Sequence, residues 1–267
     1  MYSIGIEIAA KEIRVGLVKV DEKPELEKVT FGVVGASFDD TLKAAAELAK
    51  GLIADASLSA ADIAYAGIAI EGAVVGTTVY GSAFGDKVDL SGFAKYLPVE
   101  VRGIKAANAL AIAEETLTYG KGYSFAYITL NEKVGFGLLI DGVPFVGGNG
   151  LASDIAHTTV YRGGKECTCG NKGCFEAYCG LAAYEEGNYD EYASFLASGI
   201  TNVMNLFQPN VIVVGGKVPE LVGEKILDDI GTIVKSENYA RNSVNKTLVA
   251  LPTVGANAAV IGAALAK

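Results

Sequence analysis

The feature that most constrains the fold is a pattern that occurs twice. Near the N-terminus, "YSIGIEIA", "AKE" and "IRVGLVKV" place β-branched residues at period two on either side of a short polar turn, which reads as a β-hairpin. From residue 124 the pattern restarts as "SFAYITL", "NEK" and "VGFGLLIDGVPF". Hairpins are foreign to a purely parallel sheet, so the repetition weighs against a single doubly wound domain. It predicts a duplicated two-lobe α/β architecture with an inter-lobe cleft as the default ligand site.

The segments between the hairpins fit α/β units. A third strand, "KVTFGVVGA", precedes "FDDTLKAAAELAKGLIADA", whose Leu42, Ala45, Ala49, Leu52 and Ile53 fall on or near one helical face, with Asp39 or Asp40 as the expected cap. "IAYAGIAIEGAVV" and "VEVRGI" read as strands, and "AANALAIAEETLTYG" as a helix ended by Gly120. After the second hairpin come helix "YDEYASFLASGITNVMNLF", strand "NVIVVGG", helix "KILDDIGTIVKSEN", the segment "KTLVALPTVG" and a closing small-residue helix, "NAAVIGAALAK". The expected division is a small N-terminal lobe over 1–107 plus 254–267 and a larger lobe over 108–253. Hinges are expected near Ala106 to Asn108 and Val254 to Ala256.

With 267 residues and 51% apolar content, the chain has ample material for two cores. No stretch is long and apolar enough to cross a bilayer, and Glu7, Lys11 and Glu12 stand where a signal peptide would be apolar, so a cytoplasmic protein is expected. A formal charge of −9 without a Lys/Arg cluster argues against a nucleic-acid surface. A small-molecule ligand or a protein partner is left.

The only histidine and all four cysteines lie in "HTTVYRGGKECTCGNKGCFEAYCG". His157, Cys167, Cys169 and Cys174 form an H-x9-C-x-C-x4-C array in which Gly163, Gly164, Gly170 and Gly173 allow tight turns. Three thiols and an imidazole suit a closed tetrahedral zinc site, which leaves no position for a reactive water and so points to a structural metal. The alternative is a buried histidine beside reduced or disulfide-paired cysteines. Cys179 is left over as a buried free thiol.

The run "DIAHTTV…CTCGNKGCFE", with "IGIEIAAKEIRVGLV", "AANALAIAEE", "ITLNEKVGFGLLIDGVPFVGGNGLASDIAH" and "VIVVGGKV", resembles in order the segments of the ROK family of sugar kinases and sugar-responsive regulators. Ala156 stands where the family has glycine. The resemblance implies the actin-like, hexokinase-type fold, a homodimer, and phosphorylation of hexoses or N-acetylhexosamines with ATP and magnesium. It also implies that Asp154, His157 and Glu176 face a sugar, and that Lys11, Lys133, Gly135, Gly215 and Gly216 lie along the nucleotide. DNA-binding members carry an N-terminal helix-turn-helix, whereas here the first strand begins almost at Met1, so a repressor is not expected.

The departures bear on activity. A first phosphate loop of the form DxGGTK is matched by Glu7, Ala9, Ala10, Lys11 and Glu12, and a second, GTGxG, by "NEKVG". Methyl groups fill space that phosphate oxygens need, and a carboxylate beside a phosphate costs about 4 kcal/mol at about 4 Å in an effective dielectric near 20, which Lys11 or Lys133 would offset. The segment that carries the family's proton-accepting aspartate reads "IKAANALAIAE", with Lys105 and Ala106 in place of Asn and Asp. These changes weigh against ATP and magnesium. The expectation is a zinc-containing homologue impaired in phosphoryl transfer, a pseudokinase or a sugar-binding or regulatory protein. The alternative is an active kinase with a rearranged site, using Glu71 as substitute base because burial in its apolar strand would raise its pKa.

Overall fold

The computed structural model describes residues 1–152, 154–240, 242 and 246–266, and the chain divides into two compact units. The first comprises Met1–Gly120, Val146–Ala152 and Val254–Lys267; the second comprises Lys121–Phe145 and Ser153–Thr253.

In the first unit the N-terminal hairpin forms as β1 (Tyr2–Ile8) and β2 (Glu12–Lys19), followed by β3 (Glu25–Val33), helix α1 (Phe38–Asp55) and β4 (Ile63–Ile70). A small antiparallel sheet, β5 (Ala73–Val75), β6 (Thr78–Ser82) and β7 (Gly85–Asp89), precedes β8 (Glu100–Lys105) and α2 (Ala106–Glu114). The main sheet has the order β3-β2-β1-β4-β8, antiparallel through β3-β2-β1 and parallel from β1 to β8. Ile4, Ile6, Ile8, Ile13, Val15 and Leu17 pack with Leu42, Ala45, Ala49, Leu52 and Ile53 of α1 in one buried cluster.

Between these isoleucines runs a row of glycines. Gly16, Gly5 and Gly67 are in register across β2, β1 and β4. Helix α8 (Ala258–Leu265) lies on them so closely that a methyl at Gly5 would sit 1.9 Å from the Val260 carbonyl oxygen, and one at Gly67 1.8 Å from that of Ala263. Interior strand glycines mark such a backbone approach.

The second unit repeats the plan. Its hairpin is β9 (Phe125–Leu130) and β10 (Val134–Ile140), extended by β11 (Val143–Pro144), and its parallel strands are β12 (Val211–Gly215) and β13 (Leu248–Ala250). The order is β11-β10-β9-β12-β13, the same arrangement as in the first unit. Two short helices, α3 (Glu176–Cys179) and α4 (Leu181–Glu185), follow the cysteine-rich loop; α5 (Tyr189–Phe207), α6 (Lys217–Val222) and α7 (Lys225–Glu237) complete the layer. Ile128, Phe136, Leu138, Ile212 and Val214 pack with Leu196, Ile200, Val203 and Ile230 in a second core.

Three readings change. Helix α1 is capped by Ser37, whose Oγ accepts from the Asp40 N–H at 3.1 Å, because Asp39 and Asp40 fall inside the first turn. The stretch "IAYAGIAIEGAVV", expected as one strand, is two: β4 ends at Ile70, and Ala73–Val75 is β5 of a separate sheet with β6 and β7, neither of which was expected. Helix α2 lies whole in the first unit and is not divided at residue 107, because Gly262 of α8 packs against the Ala109 carbonyl, where a methyl would come within 1.7 Å. Lys267, the end of the expected closing helix, lies outside the described residues.

Candidate functional site

The cysteine-rich loop folds on itself through short backbone bonds. The Cys167 N–H donates to the Asn171 carbonyl, Gly170 N–H to that of Cys167, and Gly173 N–H to that of Lys165, all within 2.8–2.9 Å. Gly170 and Gly173 have φ of 90° and 82°, and a methyl at Gly173 would sit 1.8 Å from the Tyr161 carbonyl oxygen. Thr158 closes the turn at His157, its N–H and hydroxyl both donating to the Ile155 carbonyl at 3.0 and 2.7 Å.

These turns gather His157, Cys167, Cys169 and Cys174, whose ligand atoms all lie within 4.8 Å of one another. His157 Nδ1 is 3.7 Å from Cys167 Sγ, and the Sγ atoms of Cys169 and Cys174 are 3.6 Å apart. A tetrahedral ion with Zn–S bonds of about 2.3 Å holds its ligands about 3.8 Å apart, so the four atoms fit zinc in spacing as well as in donor type. All four cysteines are free thiols. Burial, then the neighbouring thiols, push the Cys174 thiol up to about 12, while a bond from the Asn171 backbone lowers Cys169. A cation would reverse the reluctance of Cys174 to ionise. Cys179 is fully buried and outside the set; burial raises its thiol well above the usual value.

Glu176 opens α3 immediately behind this cluster. Its Oε2 accepts from the Val134 N–H at 3.1 Å, and its Oε1 accepts from the Thr168 hydroxyl at 3.2 Å and lies 4.0 Å from Cys167 Sγ. Both oxygens thus have protein partners. Asp154 is exposed, at the start of the short turn Ile155–His157, and His157 is exposed beside it.

The two hairpin turns are closed. In the first, the Ala9 N–H donates to the Glu12 carbonyl at 2.9 Å, and Lys11 is exposed. Arg14 then binds Glu12 at 2.5 Å, lies 3.6 Å from Glu7, and donates to the Ala256 carbonyl at 2.6 Å. In the second, Asn131 accepts from the Lys217 N–H at 2.9 Å through Oδ1 and from the Leu181 N–H at 2.8 Å through its carbonyl. Glu132 pairs with the Lys217 ammonium, which lowers its carboxyl below the usual range. Lys133 is exposed, and the Gly135 N–H is taken by Thr129 Oγ1 at 3.0 Å. Gly215 and Gly216 have packing reasons of their own: a methyl at Gly215 would meet the Tyr127 hydroxyl at 2.4 Å, and one at Gly216, where φ is +97°, would meet Asn131 Oδ1 at 2.7 Å.

Two acids differ from expectation. Strand β4 ends at Ile70, which leaves Glu71 exposed just beyond it and not buried in an apolar strand. Glu7 is the perturbed carboxyl: burial raises it, Arg14 opposes the shift, and Glu12 and Glu71 add to it. The sequence signal was there, since Glu7 lies between Ile6 and Ile8 in a strand with buried neighbours. At the β8–α2 junction Lys105 ends the strand and Ala106 begins the helix, so a methyl group occupies the first helical position.

Two like sheets of this strand order define an actin-like α/β fold, and the thiol array specifies the branch of it. The model of the ROK family matches residues 3–191 and 184–267, and the chain belongs to the ROK family. A hexokinase of this family from Thermus thermophilus superposes with a TM-score of 0.86 at 20% identity, covering 99% of this chain and 97% of that one. The xylose repressor of Bacillus subtilis is 23% identical over 184 residues, 58% of this chain and 47% of the repressor. The glucokinase of Thermotoga maritima is 28% identical over 203 residues, 73% of this chain and 62% of that enzyme. The chain spans about half the length of the curated xylose repressors it matches. Among the described residues no helix is long and apolar enough to cross a membrane.

Proposed function

We propose that this chain is a zinc-containing ROK homologue impaired in phosphoryl transfer, a pseudokinase that binds a sugar or acts through a protein contact. The observation that carries this reading is Ala106 at the start of α2, the position that the resemblance assigns to the proton-accepting aspartate. A methyl group cannot accept a proton, and a positioned base contributes about 10²–10⁴ in rate. The rest of phosphoryl transfer depends on electrostatic positioning of the phosphates. Here Asn131 and Glu132 of the second turn both bind Lys217, and Ala9 and Glu12 close the first. His157, Cys167, Cys169 and Cys174 would hold the zinc, which supplies structural cross-linking. A sugar would be met by Asp154 and His157, with Glu176 behind them. The same reading includes a cytoplasmic homodimer, to be checked by light scattering.

The second reading, an active kinase with a rearranged site, is favoured by one feature: the raised carboxyl of Glu7 supplies a proton acceptor that the sequence did not single out. Coupled ADP-release assays over hexoses and N-acetylhexosamines separate the two, together with calorimetric titration of magnesium-ATP. The proposal expects no sugar-dependent turnover and no nucleotide heat. Sugar-dependent ADP release that disappears in Glu7→Gln, Glu71→Gln or Asp154→Asn would establish the kinase.

A further inference from the structure

The side-chain contacts of Glu176 join the thiol cluster to the Asn131–Lys133 turn. On one side are Thr168 Oγ1 at 3.2 Å, between two of the cysteines, and Cys167 Sγ at 4.0 Å. On the other is the Val134 N–H at 3.1 Å, the first residue of β10 and the exit of the Asn131–Lys133 turn. The helices that follow Glu176 grip the entry of the same turn. The Leu181 N–H of α4 donates to the Asn131 carbonyl at 2.8 Å, and a methyl at Gly180 would be 3.3 Å from the Glu132 carbonyl oxygen. The turn in turn fixes α6, because Asn131 Oδ1 accepts from the Lys217 N–H and Glu132 pairs with its ammonium. Cluster, Glu176, turn and Lys217 form one unbroken series within the second unit.

We propose that Glu176 is a positioning residue that couples metal occupancy of the cysteine cluster to the Asn131–Lys133 turn and, through it, to Lys217. With zinc bound, Cys167 and Thr168 are held and Glu176 Oε1 is anchored, which leaves Oε2 aimed at Val134. Loss of the metal frees the loop that carries Thr168, and Glu176 loses the partner that fixes its carboxylate. The turn then loosens and Lys217 is released from Asn131 and Glu132. The proposal gives Glu176 a role turned toward the protein interior, in place of the sugar contact that the family resemblance implies. It rests on the reading of the cluster as a zinc site.

Hydrogen–deuterium exchange on the full chain, zinc-loaded and chelator-stripped, with native mass spectrometry to count bound zinc, tests it. In the wild type, protection of the Val134, Leu181 and Lys217 amides falls on zinc removal. In Glu176→Ala with zinc still bound, protection at Val134 falls about tenfold or more, as for loss of a charge-assisted hydrogen bond, and Lys217 protection no longer responds to zinc. Glu176→Gln keeps one carbonyl acceptor and recovers part of the effect. Lys172→Ala, which removes an ion pair with Glu166 on the same loop, leaves all three amides unchanged. Zinc-loaded Glu176→Ala with wild-type protection at Val134 and Lys217 overturns the relay alone. Absence of bound zinc in the wild type overturns the zinc reading and the relay together.

Discussion

The two sheets share a strand order and differ in what occupies their middle row. In the first unit Gly16, Gly5 and Gly67 stand in register on β2, β1 and β4; in the second, Gly137, Tyr127 and Val213 stand in register on β10, β9 and β12. Where the first sheet has bare backbone, helix α8 rests its carbonyls against it. Where the second has Tyr127, the ring reaches Gly215. The thiol loop and its aromatic neighbours Tyr178 and Phe195, with ring centroids 4.0 Å apart, secure that unit instead. The same topology is thus stabilised by close backbone packing in one half and by a metal-ready cross-link in the other.

The sharpest way to break this contrast is to remove the metal. Structural zinc in small domains binds with about 10–16 kcal/mol of apparent free energy that is coupled to folding. Chelation should therefore abolish amide protection in the loop and lower it in β9 and β10, while β1 and β4 keep theirs. Equal loss in both units would remove the contrast. Next comes Gly67→Ala, which forces a methyl against the Ala263 carbonyl and should cost about 3 kcal/mol or more in denaturant unfolding, since neither backbone can yield cheaply. Gly216→Ala in the second unit adds left-handed strain and a clash with Asn131 Oδ1, with an expected loss of about 2 kcal/mol. The smallest effect is electrostatic. The folded Glu7 carboxyl lies above its ordinary value of 4.5, so its ionised form opposes folding, and the opposition grows as pH rises through the glutamate range and above it. Glu7→Gln should stabilise the first unit at neutral pH and lose that advantage at about pH 4 in paired melting curves.

The parts of this molecule legible in the sequence are those encoded by local spacing. Both hairpins follow from period-two alternation, and the four metal-ready residues follow from their spacing and residue type. What failed was non-local. Nothing near residue 107 announces that Ala109 will meet Gly262, so the boundary expected there falls inside α2, whereas the first unit runs on to Gly120. The apolar residues on both sides of Glu71 in "IAIEGAVV" fit a buried acid and a water-facing strand edge equally well, and the strand stops one residue earlier, where Gly72 turns the chain with φ of +118°. The glycines of "IGIEI", "RVGLV" and "YAGIA" were visible, but only their cross-strand register shows that they form one floor.

That floor has a consequence for synthesis. The helix that covers it, Ala258–Leu265, is translated after every residue of the second unit, so the three glycines lie uncovered while residues 121–253 leave the ribosome. All of the second unit is made before that cover, so of the two halves the one translated earlier is the one whose folding ends later.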